Sequence, residues 1–159
     1  MISNLPTYTF ARLSNKDEAL RIILFILLKD PSYQMLPMRQ IYTFYASISN
    51  DNYLLLISEN KVLAVILWMG VSTKAKEDCL REDRSPYTNE LVAKGEAIYC
   101  TAFSGIESGA LLPLWKQFIK IYQHQDILFK RHFKKGERIP KPIALIRQQR
   151  LIKVANKSL

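Results

Sequence analysis

A short turn between a strand-like segment and a helical segment holds the residues best suited to bind an anionic ligand. Residues 97–103 are apolar and β-rich, and an amphipathic helical run begins near residue 111. Backbone N–H groups at a helix start bind phosphate groups and oxyanions. This turn can therefore receive a phosphate group, for example that of the phosphopantetheine of an acyl donor. The candidate binding residues are Ser104, Gly105, Ser108 and Gly109. Their spacing matches neither a P-loop nor a dinucleotide fingerprint, so an ordinary turn is the alternative.

The cysteines and histidines do not suggest a metal site. Cys79 and Cys100 are too few for a disulfide framework and lack the clustered spacing of zinc ligands, which favours a reducing compartment. His124 and His132 lie among lysines and arginines and belong to no cluster with metal-ligand spacing. No cluster of His, Cys and carboxylate side chains appears in the sequence, and we predict that the protein binds no metal.

Positive charge is concentrated in the last third of the chain. Residues 111–159 contain 12 Lys or Arg against two acidic residues, Asp126 and Glu137, whereas residues 1–110 contain 11 basic and 12 acidic residues. Such asymmetry favours an acidic partner, which can be nucleic acid, an anionic membrane surface or an acidic protein. The alternative is a solvated basic face that aids solubility. The basic and aromatic run 130–135 lacks a complete nucleic-acid recognition motif, so we rank nucleic acid as an unlikely partner.

Periodicity places these residues in a mixed α/β domain. A helix is predicted over 16–29, with Asn15 as its N-terminal cap, and Pro37 can open a second helix. Two β-rich runs separated by Glu59 and Asn60 predict an antiparallel hairpin over 53–71. The other predicted elements are a charged surface segment over 73–84, strands over 97–103 and 126–133, the helix near 111, and a strand or strand-then-helix over 143–154.

This element order predicts an α/β (α+β) fold. It matches an open mixed, mostly antiparallel sheet with helices on its faces, as in GNAT-type acyltransferases. At 159 residues the chain is the size of one domain, so we expect residues 1–159 to form a single acyltransferase-like domain with a basic C-terminal third. The longest apolar run is too short to span a bilayer, and no export signal is visible at the N-terminus. We therefore expect a cytoplasmic protein without a transmembrane segment.

Several local matches resemble a known enzyme family. Pro31 and Pro37 resemble a proline-flanked catalytic loop, and residues 53–56 and 62–68 resemble the two strands that follow it. Residues 94–111 resemble a stretch that runs from a glycine turn through a catalytic strand to a helix start. Together these matches, which cover about residues 20–135, resemble the RTX toxin-activating lysine acyltransferases.

The resemblance implies an activity, a donor and an acceptor. The protein would transfer a fatty acyl group from acyl carrier protein to a lysine side chain of a partner protein. No cofactor is implied beyond the phosphopantetheine thioester of the carrier. Acyl carrier proteins are strongly acidic, so the basic C-terminal third is the expected docking surface. A homodimer is also compatible with the sequence.

The resemblance also assigns two candidate catalytic residues, both altered. Tyr33 stands where the family has a histidine, and Cys100 stands where it has an aspartate. Tyr33 has too high a reference pKa to be a base at pH 7, although it can protonate a departing thiolate. Cys100 can in principle accept the acyl group as a thioester. The alternative interpretation of Tyr33 is a half-buried aromatic residue of a loop, and that of Cys100 is a small core residue.

The altered pair leaves three functions open. The first is a lysine acyltransferase centred between Tyr33 and residues 100–109. The second is a catalytically impaired relative that binds the carrier protein or a partner and acts as a regulatory subunit. The third is a nucleic-acid-binding basic domain.

Overall fold

The described part of the chain folds into a six-stranded sheet with helices on both faces and a short two-stranded ribbon. The computed structural model describes residues 7–34, 36–131, 133–134, 137–138 and 141–147. The helices are α1 (Lys16–Lys29), α2 (Met38–Ser49), α3 (Thr73–Glu82) and α4 (Leu111–Ile121). The strands are β1 (Thr9–Ala11), β2 (Tyr53–Ser58), β3 (Lys61–Val71), β4 (Ala97–Gly105), β5 (Ile127–Phe129), β6 (Phe133–Lys134), β7 (Glu137–Arg138) and β8 (Ala144–Ile146).

A polar cap and a proline set the starts of the first two helices. The side-chain oxygen of Asn15 accepts hydrogen bonds from the N–H groups of Asp17 (3.0 Å) and Glu18 (3.1 Å). These bonds satisfy donors that have no partner inside the helix. Pro37 is the N-terminal cap of α2. The predicted starts of both helices are confirmed.

The sheet is antiparallel at every described junction but one. Its strand order is β1-β2-β3-β4-β5-β8, and the β4–β5 pair is parallel. The β2–β3 hairpin turns at Glu59 and Asn60, whose φ angles of 49° and 62° are typical of turns that match the twist of the strands. The predicted hairpin and the mixed, mostly antiparallel sheet are both confirmed.

Helices cover the central strands from both sides. α1 and α2 pack on one face, where Ile23, Phe44 and Tyr53 belong to one buried cluster. α4 packs on the other face, where the rings of Trp68 and Phe118 lie 5.0 Å apart. Burying apolar side chains on both faces stabilises the sheet by about 25 cal/mol per Å². β4, which carries Cys100, Ser104 and Gly105, is therefore held between two apolar layers.

The charged segment predicted at the surface forms α3. The segment was predicted only to lie at the surface, as a helix or a mobile excursion; it is a surface helix that also has an apolar side. Ala75 packs in a small cluster with Val71, and Cys79, one turn further along, is fully buried. This spacing of four residues places the two small side chains on the same face of the helix. A pair of small residues is too weak a signal to identify that face from sequence.

Three strand predictions differ from the structure. β1 was not predicted, because three residues are too few to show alternation; it pairs with β2 through Thr9 and Ile57. The strand predicted over 126–133 is shortened to β5. β8 covers the beginning of the strand predicted over 143–154, and residues 148–154 lie outside the described part of the chain. Within that part, no helix is long and apolar enough to cross a membrane.

The segment that precedes β4 passes β3 at very short range. The N–H of Gly70 donates to the carbonyl oxygen of Val92 (2.7 Å), and the N–H of Val92 donates to that of Gly70 (2.9 Å). A Cβ atom at Gly70 would lie 2.2 Å from the nitrogen of Gly95, and a Cβ atom at Gly95 would lie 2.4 Å from the nitrogen of Val71. Both positions require glycine because the atoms they would meet belong to the backbone.

Candidate functional site at the split between two strands

β4 and β5 separate after a short stretch of pairing. They pair at Ile98 with Ile127 and at Tyr99 with Leu128, and β4 then continues to its end. The β3–β4 register shifts at this point, which leaves Thr101 as an extra residue on β4. A bulge of this kind bends a strand and increases its twist. In the described residues, the outer edge of β4 beyond the bulge therefore faces an opening instead of a neighbouring strand.

The phenol of Tyr33 lies at this opening. Its hydroxyl accepts a hydrogen bond from the N–H of Phe103 (3.1 Å) and donates one to the carbonyl oxygen of the same residue (3.3 Å). Because both groups of Phe103 bond to Tyr33, they point away from β3 and into the opening. Burial raises the pKa of Tyr33 well above its ordinary value, so the phenol is protonated at neutral pH.

Neighbouring side chains hold Tyr33 in place. Its ring packs edge-on against Phe44 of α2, with the centroids 6.1 Å apart. Asp30 precedes the turn and accepts a hydrogen bond from the N–H of Ser32 (2.9 Å) with one oxygen. Its other oxygen accepts a hydrogen bond from the buried hydroxyl of Ser104 (2.7 Å). The loop between α1 and α2 is thus fastened to β4 at two successive residues, Phe103 and Ser104.

Cys100 approaches the same edge from the opposite face of β4. It packs with the α4-side cluster, whereas Tyr33 packs with the α1–α2 side. The thiol donates a weak hydrogen bond to the carbonyl oxygen of Ala102 (3.6 Å). Burial raises the pKa of Cys100 to about 12, and a Cys100 thiolate would in turn raise the pKa of Tyr33. The two candidate catalytic residues thus lie on opposite faces of the same part of β4, near enough for charge on Cys100 to affect Tyr33, and both are protonated at pH 7.

Slow alkylation of Cys100 is the expected consequence of its raised pKa. The thiolate is the reactive form, and at pH 8 a pKa near 12 reduces its population on the order of a thousandfold relative to an ordinary cysteine. Iodoacetamide should modify Cys100 of the native protein that much more slowly than in urea-unfolded protein, with a rate that rises about tenfold per pH unit. Peptide mapping separates Cys100 from Cys79. Equal rates in native and unfolded protein would contradict this protonation state.

The turn after β4 is divided between buried and exposed residues. Ser104 is buried and bonded to Asp30, and a Cβ atom at Gly105 would lie 2.9 Å from the carbonyl oxygen of Leu63. Gly105 is therefore required by packing. Ser108 and Gly109 are exposed at the turn of 3-10 helix that leads into α4, and nothing lies within 4 Å of a Cβ atom at Gly109. Of the four candidate binding residues, these last two face solvent where a ligand can reach them.

Trp115 of α4 lies beside the opening and contacts both of the strands that separate there. Its ring lies 5.5 Å from that of Phe103 on β4 and 5.3 Å from that of Phe129 on β5. One aromatic side chain thus contacts both strands on either side of the split. The edge of β4 at Phe103, where the phenol of Tyr33 bonds in this structure, is the kind of strand edge that can pair with an extended chain.

Basic side chains lie along the exposed face of α4. Lys116 and Lys120 are exposed one turn apart, and α4 contains no acidic residue. Lys130 bonds to Asp83 (3.2 Å), His124 is exposed, and His132 lies outside the described residues. Among the described residues, no group of three or more His, Cys, Asp or Glu could hold a metal ion.

Sequence reasoning missed three contributors to this site. Asp30 was not among the candidate site residues, whereas in the structure it caps a turn and binds Ser104. Its position directly before Pro31 is a signal for such a cap. Neither the peptide group of Phe103 nor the position of Trp115 across the split has a local sequence signal, because both depend on residues that are distant along the chain.

Comparison with known proteins identifies the fold. No protein-family model and no curated protein sequence matches the chain. The chain is similar to the loading GNATL domain of CurA from Lyngbya majuscula, with a TM-score of 0.62 and 13% identity over 80% of this chain and 66% of that one. It thus spans about two thirds of that domain. This similarity confirms the predicted GNAT-like fold.

Two further solved structures match more loosely. One is a histone acetyltransferase HPA2 and related acetyltransferase from Corynebacterium glutamicum, with a TM-score of 0.45 and 12% identity over 96% of this chain and 83% of that one. The other is an N-acetyltransferase from Staphylococcus aureus, with a TM-score of 0.43 and 12% identity over 95% of this chain and 88% of that one. The membership in the toxin-activating family stays a prediction.

Proposed function

We propose that the protein is an acyltransferase that moves an acyl group from a carrier-bound phosphopantetheine thioester to a lysine side chain of a partner protein. The observation that carries this proposal is the split between β4 and β5, which exposes a strand edge beside the start of a helix. An extended arm with amides along it can pair with such an edge, and its phosphate can reach the N–H groups at the helix start. The similarity in fold to a loading GNATL domain supports this assignment.

The proposed transfer is an exchange at a thioester carbonyl. The lysine ammonium first loses a proton to solvent, and the amine nitrogen then attacks the carbonyl carbon. A C–N bond forms, the C–S bond breaks, the nitrogen loses its second proton to solvent, and the departing thiolate takes up a proton. The phenol of Tyr33, protonated at neutral pH, is the proposed donor of that last proton, and the phenolate that remains regains a proton from solvent. An acyl-thioester on Cys100 would need the thiolate, which burial disfavours, so Cys100 ranks second as a catalytic group.

A second function is favoured by the protonation of the same two residues. Neither Tyr33 nor Cys100 can accept the proton of a lysine ammonium near pH 7, because burial raises the pKa of both. A protein that binds the acyl-loaded carrier without turnover needs only the opening and the docking surface. This second candidate is a carrier-binding regulatory subunit.

Docking of an acidic carrier would use the exposed face of α4. Lys116 and Lys120 lie one and two turns from the exposed start of that helix, where the phosphate would bind. Charge complementarity of this kind mainly accelerates association and loses effect as salt rises. The remaining basic residues of the last third include many outside the described residues, and the proposal does not depend on them.

Charge reversal on α4 is expected to weaken carrier binding. The double substitution Lys116→Glu and Lys120→Glu should lower affinity for acyl carrier protein at least tenfold at low salt, chiefly through a slower association rate. Surface plasmon resonance at two salt concentrations measures this effect. The matched control is Arg21→Glu with Arg39→Glu, which changes the same charge on the exposed surface of α1 and α2. Equal losses in both double variants would show that net charge, and not this surface, governs binding.

Intact-mass analysis tests the function itself. The protein is incubated with acyl-loaded acyl carrier protein and lysine-containing polypeptides encoded near its gene. An acyl mass increment on a polypeptide lysine, lost in Tyr33→Phe, supports the transferase. A stable complex with the carrier and no increment supports the carrier-binding subunit. The absence of both a carrier complex and an acyl mass increment would contradict both functions.

A further inference from the structure

The open edge of β4 is already occupied by a group from the same chain. Phe103 presents one N–H and one carbonyl oxygen to the opening, and the hydroxyl of Tyr33 satisfies both. A secondary amide of an extended ligand offers the same pair of functions, one acceptor and one donor. The phenol and a ligand amide therefore require the same position at the same peptide.

We propose that Tyr33 is an intramolecular latch that competes with the donor for the Phe103 peptide. Binding of an amide-containing acyl donor displaces the phenol from β4, and the loop that carries Tyr33 moves with it. This inference rests on the proposed function, because it takes the donor to be a pantetheine thioester. It adds that the free protein holds its own donor site closed.

The loop is built to be released without unfolding its neighbours. Tyr33 is the last residue of a single turn of 3-10 helix, Pro31–Tyr33, which is held by a hydrogen bond from its own N–H to the carbonyl oxygen of Asp30 (3.0 Å). α1 ends before this turn, and α2 starts at Pro37 without a side-chain cap. The polar contacts described between the turn and β4 are the bonds to Phe103 and the Asp30–Ser104 bond. Release therefore breaks these three hydrogen bonds and the packing of the Tyr33 ring against Phe44.

Release also changes what the phenol can do. In the closed state its proton is directed at the carbonyl oxygen of Phe103. Once displaced, the hydroxyl stands beside the arm that took its place, where it can protonate the departing thiolate. The latch thereby makes the proton of Tyr33 available only when an acyl donor is bound.

Removing the hydroxyl should tighten donor binding. Tyr33→Phe leaves the Phe103 peptide without a partner in the free protein, whereas the bound state keeps the ligand's bonds. The lost stabilisation of the free state corresponds to one or two net hydrogen bonds, which predicts about 5- to 30-fold tighter binding. A residue with only a structural role would give the opposite sign, because its loss disorders the site.

The experiment compares dissociation constants for octanoyl-pantetheine by calorimetry in wild type, Tyr33→Phe and Tyr45→Phe. Tyr45 is an exposed tyrosine of α2 and supplies a matched loss of one hydroxyl away from the opening. Tighter binding in Tyr33→Phe alone supports the latch. Measurable binding in wild type with equal or weaker binding in Tyr33→Phe overturns the latch and leaves the proposed function standing. If neither the wild type nor Tyr33→Phe binds octanoyl-pantetheine, the proposed function is overturned.

A second measurement uses the wild-type protein, so it does not depend on the folding of a variant. Hydrogen exchange of the Ser32 and Tyr33 amides is followed with and without octanoyl-pantetheine. Both amides bond within the turn in the closed state. Faster exchange in the presence of the ligand supports displacement of the loop. Unchanged or slower exchange at saturating ligand shows that the ligand adds to the closed state and overturns the latch.

Discussion

Replacing Gly70 by alanine is expected to lower the free energy of unfolding by about 3 kcal/mol or more. The added Cβ atom would lie 2.2 Å from the nitrogen of Gly95 and 2.7 Å from the carbonyl carbon of Lys94. Overpacking typically costs about 1–3 kcal/mol when side chains can shift, and here the clash is with the backbone of the Lys94–Gly95 segment. Relief would require breaking the pair of hydrogen bonds between Gly70 and Val92.

Gly109→Ala is the matched control. It adds the same methyl group in the same chain, but nothing lies within 4 Å of its Cβ atom. Its effect should stay within about 0.5 kcal/mol. Urea unfolding followed by circular dichroism gives both values. A Gly70→Ala protein that loses less than about 1 kcal/mol would show that the two segments can separate without cost, which would contradict the close approach described above.

Trp68→Ala should lower the free energy of unfolding by a similar amount, about 3–5 kcal/mol, because it removes packing where Gly70→Ala adds too much. Trp68 is 2% exposed on β3 and packs against Phe118 and Tyr122 of the α4 region, with centroid distances of 5.0 and 5.1 Å. The substitution removes an indole and leaves a cavity that neighbouring rings can fill only in part. The guanidinium of Arg12, 5.8 Å from the indole ring, also loses its aromatic partner.

The Trp68 experiment also bears on the opening between the strands. α4 is held on the sheet largely by aromatic contacts, so loosening it should disturb the helix start beside residues 108 and 109. Trp68→Phe keeps a ring in the site and should lose less than half as much stability as Trp68→Ala. Chemical unfolding measures stability, and titration with octanoyl-pantetheine measures binding in the folded fraction. Equal losses for phenylalanine and alanine would show that ring packing is not what holds α4.

Local rules were sufficient for the elements whose signals lie within a few residues. Asn15 predicts the start of α1 because its side chain bonds to residues two and three positions later. The two β-rich runs on either side of Glu59 and Asn60 predict the hairpin, and both turn residues adopt the positive φ angles that its turn needs. The order of these elements was then enough to predict the fold, since few architectures accommodate two helices followed by a meander and a strand-turn-helix unit.

The candidate site could be predicted only in part, because its geometry depends on contacts between distant segments. Tyr33 and Phe103 are 70 positions apart, and no local pattern shows that a phenol will bond to the peptide of a strand. The bulge at Thr101 also has no local sequence signal, although it bends β4 at the point where β4 and β5 separate. Ser104 was expected to face a ligand, but alternation along β4 turns its side chain inward to Asp30.

The short pairing between β4 and β5 has a consequence for how the molecule holds together. β5 and β8 join the other four strands of the main sheet through two residue pairs, at Ile98 and Tyr99. Few backbone bonds must therefore break for that pair of strands to detach, whereas β3 and β4 share a ladder along most of their length. Backbone pairing should therefore open more easily at this junction than between β3 and β4. The strand edge proposed to receive the donor thus lies at the junction of the main sheet with the fewest residue pairs among the described strands.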